Sequence, residues 1–101
     1  MKWYRYIACF FAGVFLANAV PHFVNGISGT SFPTPFANPP GKGLSSPTVN
    51  VLWALFNLVM GYVLYRAGRV SQSNTWGIIV FFAGIDYLGI TLSVVVAGKA
   101  H

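Results

Sequence analysis

Three long apolar segments constrain this chain more than any other feature of its sequence. They cover about residues 3–24, 48–66 and 76–97, and each is almost free of charged side chains. A helix rises about 1.5 Å per residue, so about 20 residues cross the ~30 Å apolar core of a bilayer. The segments therefore predict an all-α integral membrane protein, with three transmembrane helices in a single membrane domain over residues 1–101.

Composition favours the same class. Only 7% of the residues are charged and 55% are hydrophobic, whereas a soluble domain has about 25% charged residues. The net charge of +5 comes from bases that flank the apolar segments and do not cluster. Nucleic acid is therefore not an expected partner, and the lipid bilayer is.

The first segment has a second interpretation. Lys2 and Arg5 precede an apolar stretch, and Ala-Asn-Ala at positions 17–19 resembles the cleavage site of a secretory signal. Pro21 follows this site closely and counts against cleavage. We expect a retained first helix, with a removed signal peptide as the alternative.

The basic residues also predict an orientation. Lys2 and Arg5 lie on the same side as Arg66 and Arg69, and two lysines, Lys42 and Lys99, lie on the other. The positive-inside rule then places the N-terminus in the cytoplasm and the C-terminus outside. The short inner loop, residues 67–75, predicts that the second and third helices form an antiparallel hairpin.

The external loop, residues 25–47, is long and rich in proline, glycine and phenylalanine. Unstructured loops of this length are uncommon, and Phe32 and Phe36 offer apolar anchors. We expect a folded cap that docks on the helices or on a partner, with a passive tether as the alternative. Ser46 and Pro47 are typical of a helix start.

Asp86 is the sole acid and lies near the middle of the third segment. A carboxylate there costs at least ~2.5–3.5 kcal/mol, and such residues are functional candidates. No Lys or Arg lies at its depth, which favours a protonated carboxyl or a partner from another subunit. We expect a structural, hydrogen-bonded role, with an ion or proton role as the alternative. Asn57 lies at the same depth in the second segment. We therefore expect an Asn57–Asp86 contact, with the small and polar stripes of the two helices facing each other.

A second polar group lies at the outer end. Asn18, His22 and Asn25 share one helix face at i, i+4 and i+7, and Asn50 begins the second segment at the same level. These four residues are predicted to ring a vestibule above Asn57 and Asp86. Histidine titrates near neutral pH, so His22 is a candidate gate or proton relay; the alternative is a residue bonded to the loop.

The sequence contains no pattern that predicts a catalytic or metal site. It has two histidines, one cysteine and one acid, without metal-ligand spacing. Neither a Ser-His-Asp set nor a phosphate loop is present. We expect no cofactor, no metal and no enzymatic activity.

The stretches VPHFVNGISG, FPTPFANPPGKGLSSP and NVLWALFNLVMGY resemble a group of small, uncharacterised bacterial inner-membrane proteins with several helices. The resemblance covers about residues 22–61. It implies a bacterial inner (cytoplasmic) membrane and brings no activity with it.

Three functions fit these patterns. We expect a small membrane scaffold or accessory subunit that acts through helix and loop contacts, as a homo-oligomer or within a larger complex. The alternative is an oligomeric proton- or ion-coupled transporter or channel that uses Asp86 and His22. A holin-like pore former ranks last, because the C-terminal tail lacks the expected charge cluster.

Overall fold

The computed structural model describes residues 2–34, 44–70 and 74–99, with side chains described up to residue 96. These residues form three α-helices and two short strands: α1 Trp3–Ile27, β1 Phe32–Pro33, β2 Leu44–Ser45, α2 Pro47–Ala67 and α3 Thr75–Lys99. Each helix is long and apolar enough to span a membrane. The prediction of three helices of transmembrane length is confirmed.

Helix α1 runs through Pro21 and ends three residues later than predicted, at Ile27. Proline usually breaks a helix in water, because it lacks an N–H and its ring clashes with the preceding turn. Helices in apolar surroundings tolerate it, because side chains and neighbouring helices satisfy the affected backbone groups. The carbonyl that loses its helical donor is that of Ala17, four residues before the proline. The Asn25 side chain acts one turn later, where it donates to the Pro21 carbonyl at 2.7 Å and reinforces the turn after the proline.

Helix α2 begins and ends where the sequence predicts. The Ser46 hydroxyl accepts a hydrogen bond from the Val49 amide at 3.2 Å, and Pro47 occupies the first turn. Gly68 follows the last residue of the helix, but its φ of −77° is open to any residue. Its lack of a side chain matters for another reason: a Cβ there would lie 2.7 Å from the Cys9 sulfur in α1.

Helix α1 is the central element of the bundle. It packs extensively against both α2 and α3, whereas α2 and α3 touch each other only slightly within the described residues. One such contact joins the rings of Tyr65 and Phe81, with centroids 5.6 Å apart. The second and third helices do run antiparallel, since α2 is antiparallel to α1 and α3 is parallel to it, but the expected packing of α2 against α3 is not found among the described residues.

Two glycines explain why α3 packs on α1. A Cβ at Gly13 would meet the Phe81 carbonyl oxygen and lie 2.9 Å from the Ile85 nitrogen. A Cβ at Gly84 would meet the Phe10 carbonyl in the same way. Small residues that let two backbones approach this closely are typical of helix contacts in membranes.

The two short strands, which we call the cap strands, lie at the end of the bundle where α1 ends and α2 begins. They pair antiparallel, with Phe32 opposite Ser45 and Pro33 opposite Leu44. The buried hydroxyls of Thr34 and Ser45 are 2.5 Å apart and share a hydrogen bond. Phe36 lies outside the described residues, so its docking role stays a prediction.

A matched pair of glycine substitutions tests the crossing of α1 and α3. Gly84→Ala is expected to lower the free energy of unfolding by about 1–3 kcal/mol, since the added methyl group meets backbone atoms of Phe10. Gly89→Ala, where a Cβ meets nothing within 4 Å, is expected to gain roughly 0.5–1 kcal/mol from helix propensity. Reversible unfolding in detergent micelles measures both. Equal changes in the free energy of unfolding for Gly84→Ala and Gly89→Ala would contradict the close crossing of α1 and α3.

Candidate functional site

Four polar side chains join α1 to α2, and we call them the polar ladder: Asn18 and His22 from α1, Asn50 and Asn57 from α2. The two helices run antiparallel, so Asn18 lies opposite Asn57 and His22 lies opposite Asn50. The Asn18 amide donates to the Asn57 side-chain oxygen at 3.1 Å. Asn57 in turn donates to the Trp53 carbonyl at 2.7 Å. Asn57 is only 1% exposed, so these bonds satisfy an amide inside the bundle.

The second rung of the ladder joins His22 to Asn50, with Nδ1 and Oδ1 2.7 Å apart. The Asn50 nitrogen also lies 3.0–3.1 Å from three backbone carbonyl oxygens, those of Phe32, Ser45 and Ser46. Carbonyl oxygens only accept hydrogen bonds, so the NH₂ group must face them and the amide oxygen must face the imidazole. Nδ1 of His22 therefore carries a proton and donates to Asn50.

Asn50 thereby links four parts of the chain. It is completely buried, and it binds α1 through His22, β1 through Phe32, and β2 through Ser45. The His22 ring also packs edge-on against Phe32, with ring centroids 5.2 Å apart. Phe32, a predicted docking residue, is thus half-buried against α1 and anchors a cap strand inside the chain.

The predicted contact between Asn57 and Asp86 does not form. Asn57 binds Asn18, and Asp86 lies exposed on α3. The reason is the rotation of α3 about its own axis, which decides which of its residues lie against α1. Gly84 contacts α1, and a residue two positions later is turned by about 200° on a helix of 3.6 residues per turn. Asp86 therefore points away from α1 and from the polar ladder.

The predicted vestibule is also not seen among the described residues. His22 and Asn50 are buried and bonded to each other, so they do not line an open space. Asn25 bonds to its own helix and lines a shallow groove of about 310 Å³ beside the cap strands, together with Phe32 and Val96. The hydrogen bond of His22 goes to Asn50 in α2, and the contact of His22 with the loop is the packing of its ring on Phe32.

Asp86 lies in an apolar surface that we call the α3 outer face, formed by Phe82, Asp86, Gly89, Ile90 and Ser93. Its two large apolar members are 54% and 66% exposed. The Ser93 hydroxyl is satisfied, because it donates to the Ile90 carbonyl at 2.7 Å. Asp86 has no hydrogen bond and no ion pair in the part of the chain that the structure describes, which leaves a carboxyl group exposed among apolar side chains.

Two polar residues of this region were missed in the sequence. Thr34 and Ser45 are 1% and 8% exposed and hold the cap strands together. No sequence signal distinguishes them from the other serine and threonine residues of the stretch between α1 and α2. Within the described ranges no group of three or more His, Cys, Asp or Glu residues is arranged to hold a metal.

Comparisons with protein-family models, with curated proteins and with solved structures find no match to this chain. The resemblance to small bacterial inner-membrane proteins stays a prediction.

The central amide of the ladder can be tested by substitution. Asn50→Ala is expected to lower the free energy of unfolding by about 2–3 kcal/mol, because it leaves buried groups of His22 and the cap strands unbonded. Hydrogen exchange at residues 44–45 is expected to become faster. Asn25→Ala is the control, since that side chain bonds only within α1, and less than about 1 kcal/mol is expected. Unchanged stability and exchange in Asn50→Ala would show that the amide does not hold the cap strands.

Proposed function

We propose that this protein is a small integral membrane scaffold or accessory subunit, and that it binds another membrane protein through the α3 outer face. The observation that carries the proposal is Asp86, an exposed carboxyl without a partner among the described residues. It lies on the least buried helix: 6% of the most apolar stretch of α3 is buried, against 28% in α1 and 22% in α2.

The membrane setting is part of the proposal. Large apolar side chains are exposed on all three helices, among them Phe11, Leu55, Phe56, Phe82 and Val94. Contact of such surfaces with lipid costs no free energy, whereas their contact with water is unfavourable. Arg66 and Arg69 follow the apolar part of α2 at the end of the bundle where Lys2 and Arg5 lie. This distribution supports a multi-pass protein with a cytoplasmic N-terminus and an external C-terminus, and the resemblance to small bacterial proteins adds the bacterial inner membrane to the proposal.

A protein partner suits the α3 outer face better than lipid. An ionisable side chain near the middle of a membrane helix is costly in lipid and usually faces protein or water. Contacts between membrane helices are stabilised by close packing and by hydrogen bonds between polar groups. Gly89 leaves open space beside Asp86, so the backbone of a second helix can approach the carboxyl group.

The transport alternative has less support. A proton or ion path needs polar groups that line a continuous route through the protein. His22 is buried between α1 and α2 and bonded to Asn50, while Asp86 lies on the far side of α3 from that interface. The two candidate relay residues therefore share no surface of one chain within the described residues.

Site-specific photocrosslinking in the native membrane tests the proposed function. A photoreactive amino acid replaces Ile90 in the α3 outer face, and a matched variant replaces Val59, which is 61% exposed on α2. Position 90 is expected to give a protein adduct of one defined mass, and position 59 is expected to give none. The adduct should disappear when Asp86→Leu is added. Adducts of equal yield from both positions, or from neither, would contradict binding through this face.

A further inference from the structure

The α3 outer face carries one chemical feature besides its shape, which is the carboxyl group of Asp86. Of its polar members, Ser93 already bonds to its own helix, and no described side chain bonds to Asp86. The apolar residues around it are exposed, with Phe82 at 54% and Ile90 at 66%. A partner that recognises this surface specifically must therefore recognise the carboxyl group.

The chain itself supplies no cation at this position. Its six basic residues all flank the apolar segments: Lys2, Arg5, Lys42, Arg66, Arg69 and Lys99. Asp86 is the twelfth residue of the 25 in α3, close to the middle of the helix. Neutralising it by an ion pair at this depth requires a basic side chain from another molecule.

We propose that the α3 outer face binds a transmembrane helix of another protein that carries a lysine or an arginine at the depth of Asp86. This inference rests on the proposed function and specifies the chemistry of the partner. When a carboxylate and a cation meet in apolar surroundings, neither group is left unpaired, so the free-energy cost of an unpaired charge is removed for both. Complementary charge also selects the right partner and fixes its position along the helix.

The local shape suits such a partner. Gly89 lies about one turn after Asp86 on the same face, and a Cβ there would meet nothing within 4 Å. A second helix can therefore pack closely at this level. A lysine or arginine can extend along the groove so formed, because its long aliphatic part packs on apolar surface while the charged end reaches the carboxyl group.

A second copy of this chain fits the same face less well. Symmetric pairing through the α3 outer face places two Asp86 carboxyl groups at the same depth and supplies no basic side chain there. A partner helix with a lysine or arginine supplies the complementary group, and self-association serves as an outcome of the test.

Synthetic helices in lipid vesicles provide the test. Three single-span peptides of about 20 residues, made of leucine and alanine, differ only at the central position, which is lysine, leucine or aspartate. Binding to the purified full chain is followed by energy transfer in phosphatidylcholine vesicles. The lysine helix is expected to bind at least about tenfold more tightly than the leucine helix, which corresponds to about 1.4 kcal/mol.

Charge exchange on the protein makes the test specific. Asp86→Leu is expected to bring the affinity for the lysine helix down to that for the leucine helix. Asp86→Lys is expected to reverse the preference, so that the aspartate helix binds best. Both variants should keep the helical content of the parent, since Asp86 makes no bond within the described part of the chain, and circular dichroism checks this.

The opposing outcomes are distinct. Equal binding of the lysine and leucine helices would overturn the inference that the partner carries a basic residue. Preferential binding of the aspartate helix would overturn it too. Both results would leave the scaffold function in place. Energy transfer between copies of the chain that is lost in Asp86→Leu would identify a second copy as the occupant. Absence of binding by all three helices would overturn the inference, and the crosslinking at Ile90 would then decide separately on the proposed function.

Discussion

The structure depends on the hydrogen bonds of one buried amide, that of Asn50. In apolar surroundings a backbone carbonyl without a donor is costly, and short strands expose several of them. Asn50 donates to carbonyls of both cap strands and of its own helix start, and it accepts from His22 in α1. These bonds fix how α1 and α2 align. The Asn18–Asn57 bond follows about two turns further along α2.

This arrangement distinguishes the pair of helices α1 and α2 from helix α3. The polar groups of α1 and α2 satisfy one another, so that pair of helices presents mainly apolar side chains to its surroundings. Helix α3 joins by backbone contact at Gly13 and Gly84 and adds no polar bond to the ladder. Its one acidic residue, Asp86, remains on the outside, where it is available to another molecule.

The sequence predicts the three helices, but not which way each helix faces. Length and hydropathy give the helices, and Ser46 and Pro47 give the start of α2. The end of α1 at Ile27, three residues later than predicted, is missed because the apolar stretch stops before Asn25 and Gly26.

The polar contacts were harder to predict. The sequence analysis groups Asn18 with the outer residues and pairs Asn57 with Asp86, whereas the structure pairs Asn57 with Asn18. The contact of Gly84 with Phe10 turns Asp86 away from α1.

The central claim is that Asp86 has no partner among the described residues of its own chain, while Asn57 has one. The most direct test is the free energy of unfolding of the isolated protein in lipid for Asp86→Leu and Asn57→Leu. The account predicts that Asp86→Leu leaves this free energy unchanged or raises it, and that Asn57→Leu lowers it, because Asn18 loses its acceptor. A loss in Asp86→Leu as large as that in Asn57→Leu would show that Asp86 is bonded inside the protein and would contradict the account.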